Sequence, residues 1–559
     1  LVSACLTDEV RVRSIVDLWP STMWGRLLFV LGLASAVIAD QSARSIDREN
    51  GNSCNISLIK KIRGECSTND FGCNRVTPYK RTMYVTRGCC AKFNCDGFTT
   101  DCCSMKHVDT VGCRCGPKVP APPGGTFHVA VNAPPNGNGS VEAPFATIQA
   151  CVDIAVAATS RSFCRVGPGI YREAVQASGG VDILGSGTES NGTVLDGTVV
   201  LDDATTHWSL HKGNIYKTRL PPMLHGVDVQ QLFVDGDFIS EARWPNANLP
   251  NMLNASTWAT MKQGSGWGWV HDPQMVATAM NFSGARATLN LGTGVFTWTR
   301  TVKEFSGSSF NYTADLDGLK RPPGVYAFAG CKYFLAGVLD ALDTPGEWWV
   351  DNTTNVVYVW TPDGKSPRGG RVSIKVKDFC FDATQEQKMW SVGISNVKFF
   401  GCTLRLANCS GCMVEDVNLE YPNFNPNTFR TIPEGDMPAV TTLIGNESMF
   451  RRVRLAHTNN GGIMVAGNRN IFTQMLIEDT NWIGSLDFPP IKIGFSIHHP
   501  SRTTLSSGKL SLNNRDESQL KIPLGEGNVI EYTTVRGFGN SGIVTSQLQN
   551  TIRYTHVVN

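Results

Sequence analysis

Residues 470–480 read NIFTQMLIEDT, residues 528–535 read NVIEYTTV and residues 550–558 read NTIRYTHVV. Each run opens on asparagine and continues in β-branched and aliphatic residues. Such residues suit a pleated surface, and asparagine suits the turn that introduces it. Similar runs stand at 392–400 (VGISNVKFF), 412–419 (CMVEDVNL), 449–455 (MFRRVRL), 462–465 (GIMV) and 542–545 (GIVT). They recur at about one solenoid rung, roughly 20–25 residues, with insertions. A single rung cannot bury its apolar face, and stacking on the next one does so. An antiparallel sandwich is the alternative, but the likeness from one Asn-headed run to the next favours stacked rungs. The pattern predicts an all-β main body built as a parallel β-helix. The chain stops at Asn559, directly after one of these runs, so further rungs are expected beyond it.

Upstream, Phe127, Val129 and Val131 alternate as a strand. Phe145, Ile148, Val152 and Val156 recur at helical spacing, and Cys164-Arg165-Val166 forms a short strand stopped by Gly167-Pro168-Gly169. Cys151 and Cys164 are expected to bridge that helix to that strand. The sequences PFATIQ at 144–149 and VGPGIY at 166–171 resemble the opening of the pectin-lyase-like right-handed β-helix superfamily. The resemblance implies a right-handed parallel β-helix with an N-terminal capping helix. That cap has a physical purpose, because uncovered strand edges invite aggregation.

The stretch 206–380 breaks the rhythm and holds most of the tryptophans, among them Trp208, Trp298, Trp348 and Trp349. EWWVD at 347–351 and VVYVW at 356–360 flank a four-residue turn and read as a hairpin. LFVDGDF at 232–238, continuing to EARWPN at 241–246, reads as a second. Both blocks look like segments of large β-helix proteins related to glycoside hydrolases. An antiparallel β insertion packed on the β-helix is expected here, with an Arg–Glu pair from Glu241 and Arg243 holding it in place. The first rungs then occupy 127–205, the insertion 206–380 and the later rungs 381–559.

The remaining segments speak to compartment. Ten of the 18 cysteines lie between Cys54 and Cys115, without the paired CxxC units of a zinc site. Residues 40–116 read as a small disulfide-rich domain, followed by a Pro/Gly linker at 117–126. Cys409-Ser-Gly-Cys412 reads as a structural disulfide or buried turn rather than a redox pair. Residues 23–39, with Arg26 ahead of a short apolar run, read as a signal peptide, and 1–22 as non-native upstream translation. Leaving out Cys5 makes the cysteine number odd, so one free thiol is expected. Sequons begin at Asn55, Asn138, Asn191, Asn254, Asn281, Asn311, Asn352, Asn408 and Asn446. Together these features predict a secreted, extracellular glycoprotein. No later run is apolar enough for a membrane span. The net charge of +2 supplies no global field for nucleic acid.

Chemistry concentrates at 454–499. His457, Asp479, Asp487 and Lys492 are the candidate catalytic residues, Trp482 a sugar-stacking platform, and Arg536 a substrate-binding group. Rungs about 4.8 Å apart bring carboxylates of neighbouring rungs within the ~5–9 Å used by glycosidases. Lys492 is the best single candidate for a lyase base. Each residue also has a plainer reading: Asp at a turn bonds its own backbone, and Lys492 between isoleucines faces solvent on an ordinary strand. His498-His499 reads as surface loop. The resemblance implies an extended polysaccharide as partner, with lyase or hydrolase chemistry, and calcium only in the lyase case; no cofactor follows from the residues. The alternative is a non-catalytic glycan-binding or matrix glycoprotein. P-loop, dinucleotide, HExxH and GxSxG motifs are absent.

Overall fold

The computed structural model describes residues 123–559 apart from 190, 293, 295, 315–325, 385–390, 427–438, 487, 495–524 and 546–548, together with the backbone of strands between 42 and 114. The expected signal peptide and upstream segment therefore lie outside the described residues, as do Asp487, His498, His499 and the side chain of Asn55. The chain divides into two compact units between Lys118 and Val119.

The first unit is antiparallel. Strands Ser42–Ile46, Ser53–Arg63, Cys90–Cys95 and Phe98–Cys103 form one sheet. Phe71–Val76, Arg81–Thr86 and Thr110–Arg114 form another. Phe93 is fully buried. The pairing of the cysteines in this unit lies outside the described residues.

The second unit is built on two long parallel sheets that the chain visits alternately. Strands Val392–Phe400, Met413–Glu420, Met449–Ala456, Ile471–Thr473 with Leu476–Thr480, Val529–Glu531 with Thr534–Phe538, and Thr551–Arg553 with His556–Val558 follow one another in the first. Phe379–Thr384, Thr403–Ser410, Thr441–Asn446, Ile463–Ala466, Ile491–Ile493 and Ile543–Thr545 do so in the second. Parallel register stacks like on like. Ile394, Val414, Phe450, Phe472, Ile530 and Ile552 form one column, and the Phe450 and Phe472 rings lie 5.4 Å apart. The sandwich alternative, which needs antiparallel pairing, does not describe this unit.

The corners of the rungs stack too. Asn396, Asp416, Arg452, Gln474, Tyr532 and Tyr554 are one register column, and all have positive φ. Gly401, Tyr421, His457, Asp479 and Gly537 form a second such column. Left-handed backbone is unfavourable for most residues, so Asn396, Asp416, Gly401, Asp479 and Gly537 suit these corners, whereas Arg452, Gln474, Tyr421, His457, Tyr532 and Tyr554 are held there by the stacked register.

The asparagines that head the runs form a hydrogen-bonded ladder. Asn470 Oδ1 accepts from Ser448 N at 2.9 Å, Asn528 Oδ1 from Asn470 N at 2.9 Å, and Asn550 Oδ1 from Asn528 N at 2.9 Å. Each thereby satisfies a backbone N–H one rung earlier that would otherwise be orphaned.

The first rungs join the later ones directly. Val181–Leu184 and Thr193–Asp196 pair in parallel with Val392–Phe400. The intervening segment leaves the stack and forms two mainly antiparallel sheets. Leu232–Val234 and Asp237–Glu241 make one hairpin around Asp235-Gly236, both with positive φ, as a type I′ turn requires. Glu347–Asp351 and Val356–Trp360 make the other. The insertion meets the stack through Lys375 Nζ to Pro422 O (3.2 Å) and Thr297 Oγ1 to Ile483 O (2.8 Å). Its tryptophans are core or half-buried, except Trp269, which is exposed.

The helix Ile148–Ala157 packs Ile148, Val152 and Ile154 inward. Thr147 caps it, and the Glu173 carboxylate accepts from Ile148 N and Gln149 N at 2.8 and 2.9 Å. Disulfides join Cys151 to Cys164, Cys380 to Cys402 and Cys409 to Cys412, and Cys331 is a free, buried thiol. Asn138, Asn191, Asn254, Asn281 and Asn352 are exposed, whereas Asn311, Asn408 and Asn446 are half-buried. Asn446 Oδ1 is engaged by Asn468 N at 2.8 Å. No described helix is long and apolar enough to cross a membrane.

Candidate functional site

The register places His457 and Asp479 one above the other at the second corner column. Asp479 Oδ2 lies 2.7 Å from His457 Nδ1, and Asp479 Oδ1 accepts from Trp482 Nε1 at 2.9 Å. Both members of the pair are half-buried. Backbone bonds lock the two rungs together here, with Thr458 N donating to Asp479 O at 3.0 Å. A buried amide network holds the following loop: Asn423 Nδ2 donates to Gly461 O (2.7 Å), Asn425 N to Asn460 Oδ1 (2.8 Å) and Asn481 Nδ2 to Ser485 O (2.8 Å).

Aromatic rings wall the corner. Tyr421, one rung below His457, stacks on it at 5.0 Å between centroids and 24° between planes. Phe238, from the insertion hairpin, stacks on Tyr421 at 5.8 Å and packs against Trp482 at 5.4 Å. Burial first, then the charge of Glu420, push the Tyr421 phenol well above its ordinary range, and Asp237 and Asp479 add to the shift. Tyr421 therefore stays protonated, so its hydroxyl keeps a proton to donate.

Several expectations change. Trp482 is 3% exposed, so it is no open platform for a sugar; its indole N–H positions Asp479 instead. Glu478 is clamped by Arg454 Nε at 2.8 Å and Arg536 Nε at 2.9 Å. Burial works to raise its carboxyl, but the two arginines outweigh it and the net shift is downward. Arg536 is thus an ion-pair partner whose far edge reaches solvent. Lys492 stands in the second parallel sheet, in register with Met464 and Val544, apart from the sheet that carries the His457–Asp479 pair. A calcium ion would need several carboxylates, and no group of three His, Cys, Asp or Glu suited to a metal stands among the described residues.

An ionised Asp479 accepts from His457 Nδ1–H, which leaves Nε2 with a lone pair as a proton acceptor. The pair can therefore serve as an orienting carboxylate and a proton acceptor, with the Tyr421 ring stacked beside it. Asp487, the second carboxylate expected at this spacing, lies outside the described residues.

Behind Trp482 lies a cavity of about 30 Å³, lined by Glu241, Arg243, Arg286, Thr288 and Asn459 among others. That size suits water rather than a sugar ring. Glu241 pairs with Arg286, while the Arg243 guanidinium lies 3.7 Å over the Phe334 ring and beside Glu347. These pairs knit the insertion's own strands together, rather than holding the insertion against the stack. Asp235 likewise pairs within the insertion, with Arg371 at 2.6 Å.

Burial, then the charge of Asp343, push the Glu347 carboxyl up to about 8. A folded carboxyl that holds its proton more tightly than the unfolded one binds more protons in the native state. The stability it contributes is complete below its ordinary value of 4.5 and is lost as pH rises to about 8. The urea midpoint of the native chain is expected to fall across that window, and Glu347→Gln to flatten the fall. Equal slopes in the two proteins would place the charge elsewhere.

No family model matches this chain, and no curated protein matches it. Among solved structures it is similar to one described as a glycoside hydrolase, at 10% identity and a TM-score of 0.40, over 77% of this chain and 96% of that one. It is also similar to a complex of XylC with xylose, at 12% identity and a TM-score of 0.33, over 77% of this chain and 64% of that one.

Proposed function

We propose that this chain is a secreted carbohydrate-active glycoprotein. Its second unit is a right-handed parallel β-helix opened by the capping helix Ile148–Ala157, and it acts on an extracellular polysaccharide as a lyase or glycoside hydrolase. Right-handedness is the norm for parallel crossovers. Three disulfides fit an oxidising compartment. The observation that carries the activity is the Asp479–His457 pair, half-buried and 2.7 Å apart, on adjacent rungs beside a protonated Tyr421. In a lyase reaction His457 Nε2 takes the proton beside a uronate carboxyl, and the freed electron pair forms the double bond as the β-glycosidic oxygen leaves with a proton from the Tyr421 hydroxyl. In a hydrolase reaction it takes a proton from the water that attacks the glycosidic carbon, and the departing oxygen is protonated by the same hydroxyl. Non-catalytic glycan binding is the second reading, and one observation favours it: Asp479 and Glu478 are both fully engaged by protein partners.

A panel of uronate and neutral polysaccharides incubated with the full chain separates these readings. Ultraviolet absorbance from an unsaturated product marks a lyase, and new reducing ends without it mark a hydrolase. Retained binding with neither signal on any substrate would rule out the enzymatic reading.

A further inference from the structure

We propose that the cavity behind Trp482 holds a single monatomic anion, of chloride or bromide size, at the seam between the insertion and the stack. This site does not rest on the carbohydrate reading. Its floor comes from three neighbouring strands of the insertion. Arg243–Trp244 and Arg286–Leu291 flank Lys332–Ala336, and Arg243 and Arg286 both stand directly opposite Ala336. Residues paired across an antiparallel sheet share a face. The two arginine side chains therefore rise from one face, two strand spacings or about 10 Å apart, with only a methyl group between them. All three residues line the cavity, and Trp482 and Ile483 of the stack close it from the other side.

The polar groups here are donors short of acceptors. Arg243 is 4% exposed and Thr288 2%. Arg243 donates Nε to Pro245 O at 3.0 Å and Nη2 to Thr257 O at 2.7 Å, which leaves Nη1 without a partner among the described residues. The Thr288 side chain also lines the cavity, and its hydroxyl makes no hydrogen bond to a described residue. Arg286 gives Nη2 to Glu241, and its Nε is buried with no partner. A buried donor without an acceptor is destabilising, and an ion that accepts from several donors at once removes that cost.

The charges agree with the donors. Arg243, Arg286 and Glu241 are the ionisable groups on the cavity wall among the described residues. Glu241 is taken by Arg286. Glu347 is the acid that acts on Arg243, but it meets the backbone N, at 3.5 Å, rather than the guanidinium. Its carboxyl, pushed up to about 8 by burial and then by Asp343, holds its proton at neutral pH. A guanidinium keeps its charge even when buried, so one positive charge is left uncompensated. The volume of about 30 Å³ accommodates one ion little larger than water and excludes sulfate, phosphate or a carboxylated sugar. Size and sign together select a halide. Such an ion ties the insertion strands to the rung that carries Trp482, whose indole holds Asp479.

The test is urea unfolding of the full chain in sodium chloride and in sodium gluconate at equal ionic strength, where screening is the same and only chloride fits the cavity. The midpoint is expected to rise with chloride and level off, as binding to the native state alone requires, and to stay flat in gluconate. Thr288→Val, which is near-isosteric and removes the hydroxyl, should raise the half-saturating chloride concentration at least fivefold. Ala336→Val, which fills the gap between the arginines, should abolish the response. Both are read as a difference between salts, so a general loss of stability does not obscure them. Crystals soaked in bromide should show an anomalous peak within reach of Arg243 Nη1 and Thr288 Oγ1. Equal midpoints in the two salts would overturn the proposal, and so would bromide that stays outside the cavity. A chloride response that both variants leave unchanged would place the ion elsewhere and overturn it too.

Discussion

Replacing Asn528 with alanine is expected to destabilise the second unit by about 3 to 5 kcal/mol, because two or three buried polar groups lose partners at ~1–3 kcal/mol each. Asn528 is fully buried. Its Oδ1 accepts from Asn470 N at 2.9 Å and Asn470 Nδ2 at 3.0 Å, and its Nδ2 donates to Gly467 O at 3.0 Å and Asn550 Oδ1 at 3.1 Å. Alanine leaves the Asn470 N–H and the Gly467 carbonyl inside the stack without these partners, and nothing nearby replaces them. Denaturant unfolding followed by circular dichroism reads the loss. Asn528→Asp should also destabilise, since its side chain keeps the acceptor, loses the donor and buries charge. An alanine variant within a few tenths of a kcal/mol of the native chain would show that the ladder does not bear on stability.

The second large effect concerns the corner. On the proposed enzymatic reading, His457→Ala should lower polysaccharide turnover by about 10²–10⁴-fold, the usual contribution of a positioned acid–base group. Added imidazole should restore part of it. Asp479→Asn should act in the same direction without touching substrate, because an amide no longer fixes the Nδ1–H tautomer that the 2.7 Å contact selects. Asp479 is a positioning residue, so the readout that separates it from a merely structural one is kcat at unchanged KM and unchanged unfolding midpoint. Loss of both activity and fold in Asp479→Asn would reduce it to a corner brace.

Much of the architecture was legible because the parallel stack repeats its demands. Asparagine at 470, 528 and 550 recurs since each position must accept the same backbone N–H. The hairpin over 347–360 was legible from local alternation, and the helix Ile148–Ala157 from its apolar spacing. The meeting of His457 and Asp479 was half legible. Their separation of 22 residues is one rung, but the spacing could not say that histidine, rather than a second carboxylate, would face Asp479.

What escaped the sequence depends on long-range packing. Trp482 is covered by Phe238, which arrives from a hairpin far upstream. Glu241 finds Arg286 across 45 residues and Arg243 meets Glu347 across 104, so no local pattern reveals either partner. Lys492 looked close to the corner in sequence, yet alternation between sheets carries it to another one.

The most direct test of the account is a crystal structure of the full chain with an oligosaccharide of the polysaccharide it attacks or binds. A saccharide is expected at the His457 corner, with an oxygen or the scissile carbon's substituents within hydrogen-bonding reach of His457 Nε2 and the Tyr421 hydroxyl nearby. A saccharide that the chain cleaves but binds elsewhere, with the His457–Asp479 corner empty, would contradict it.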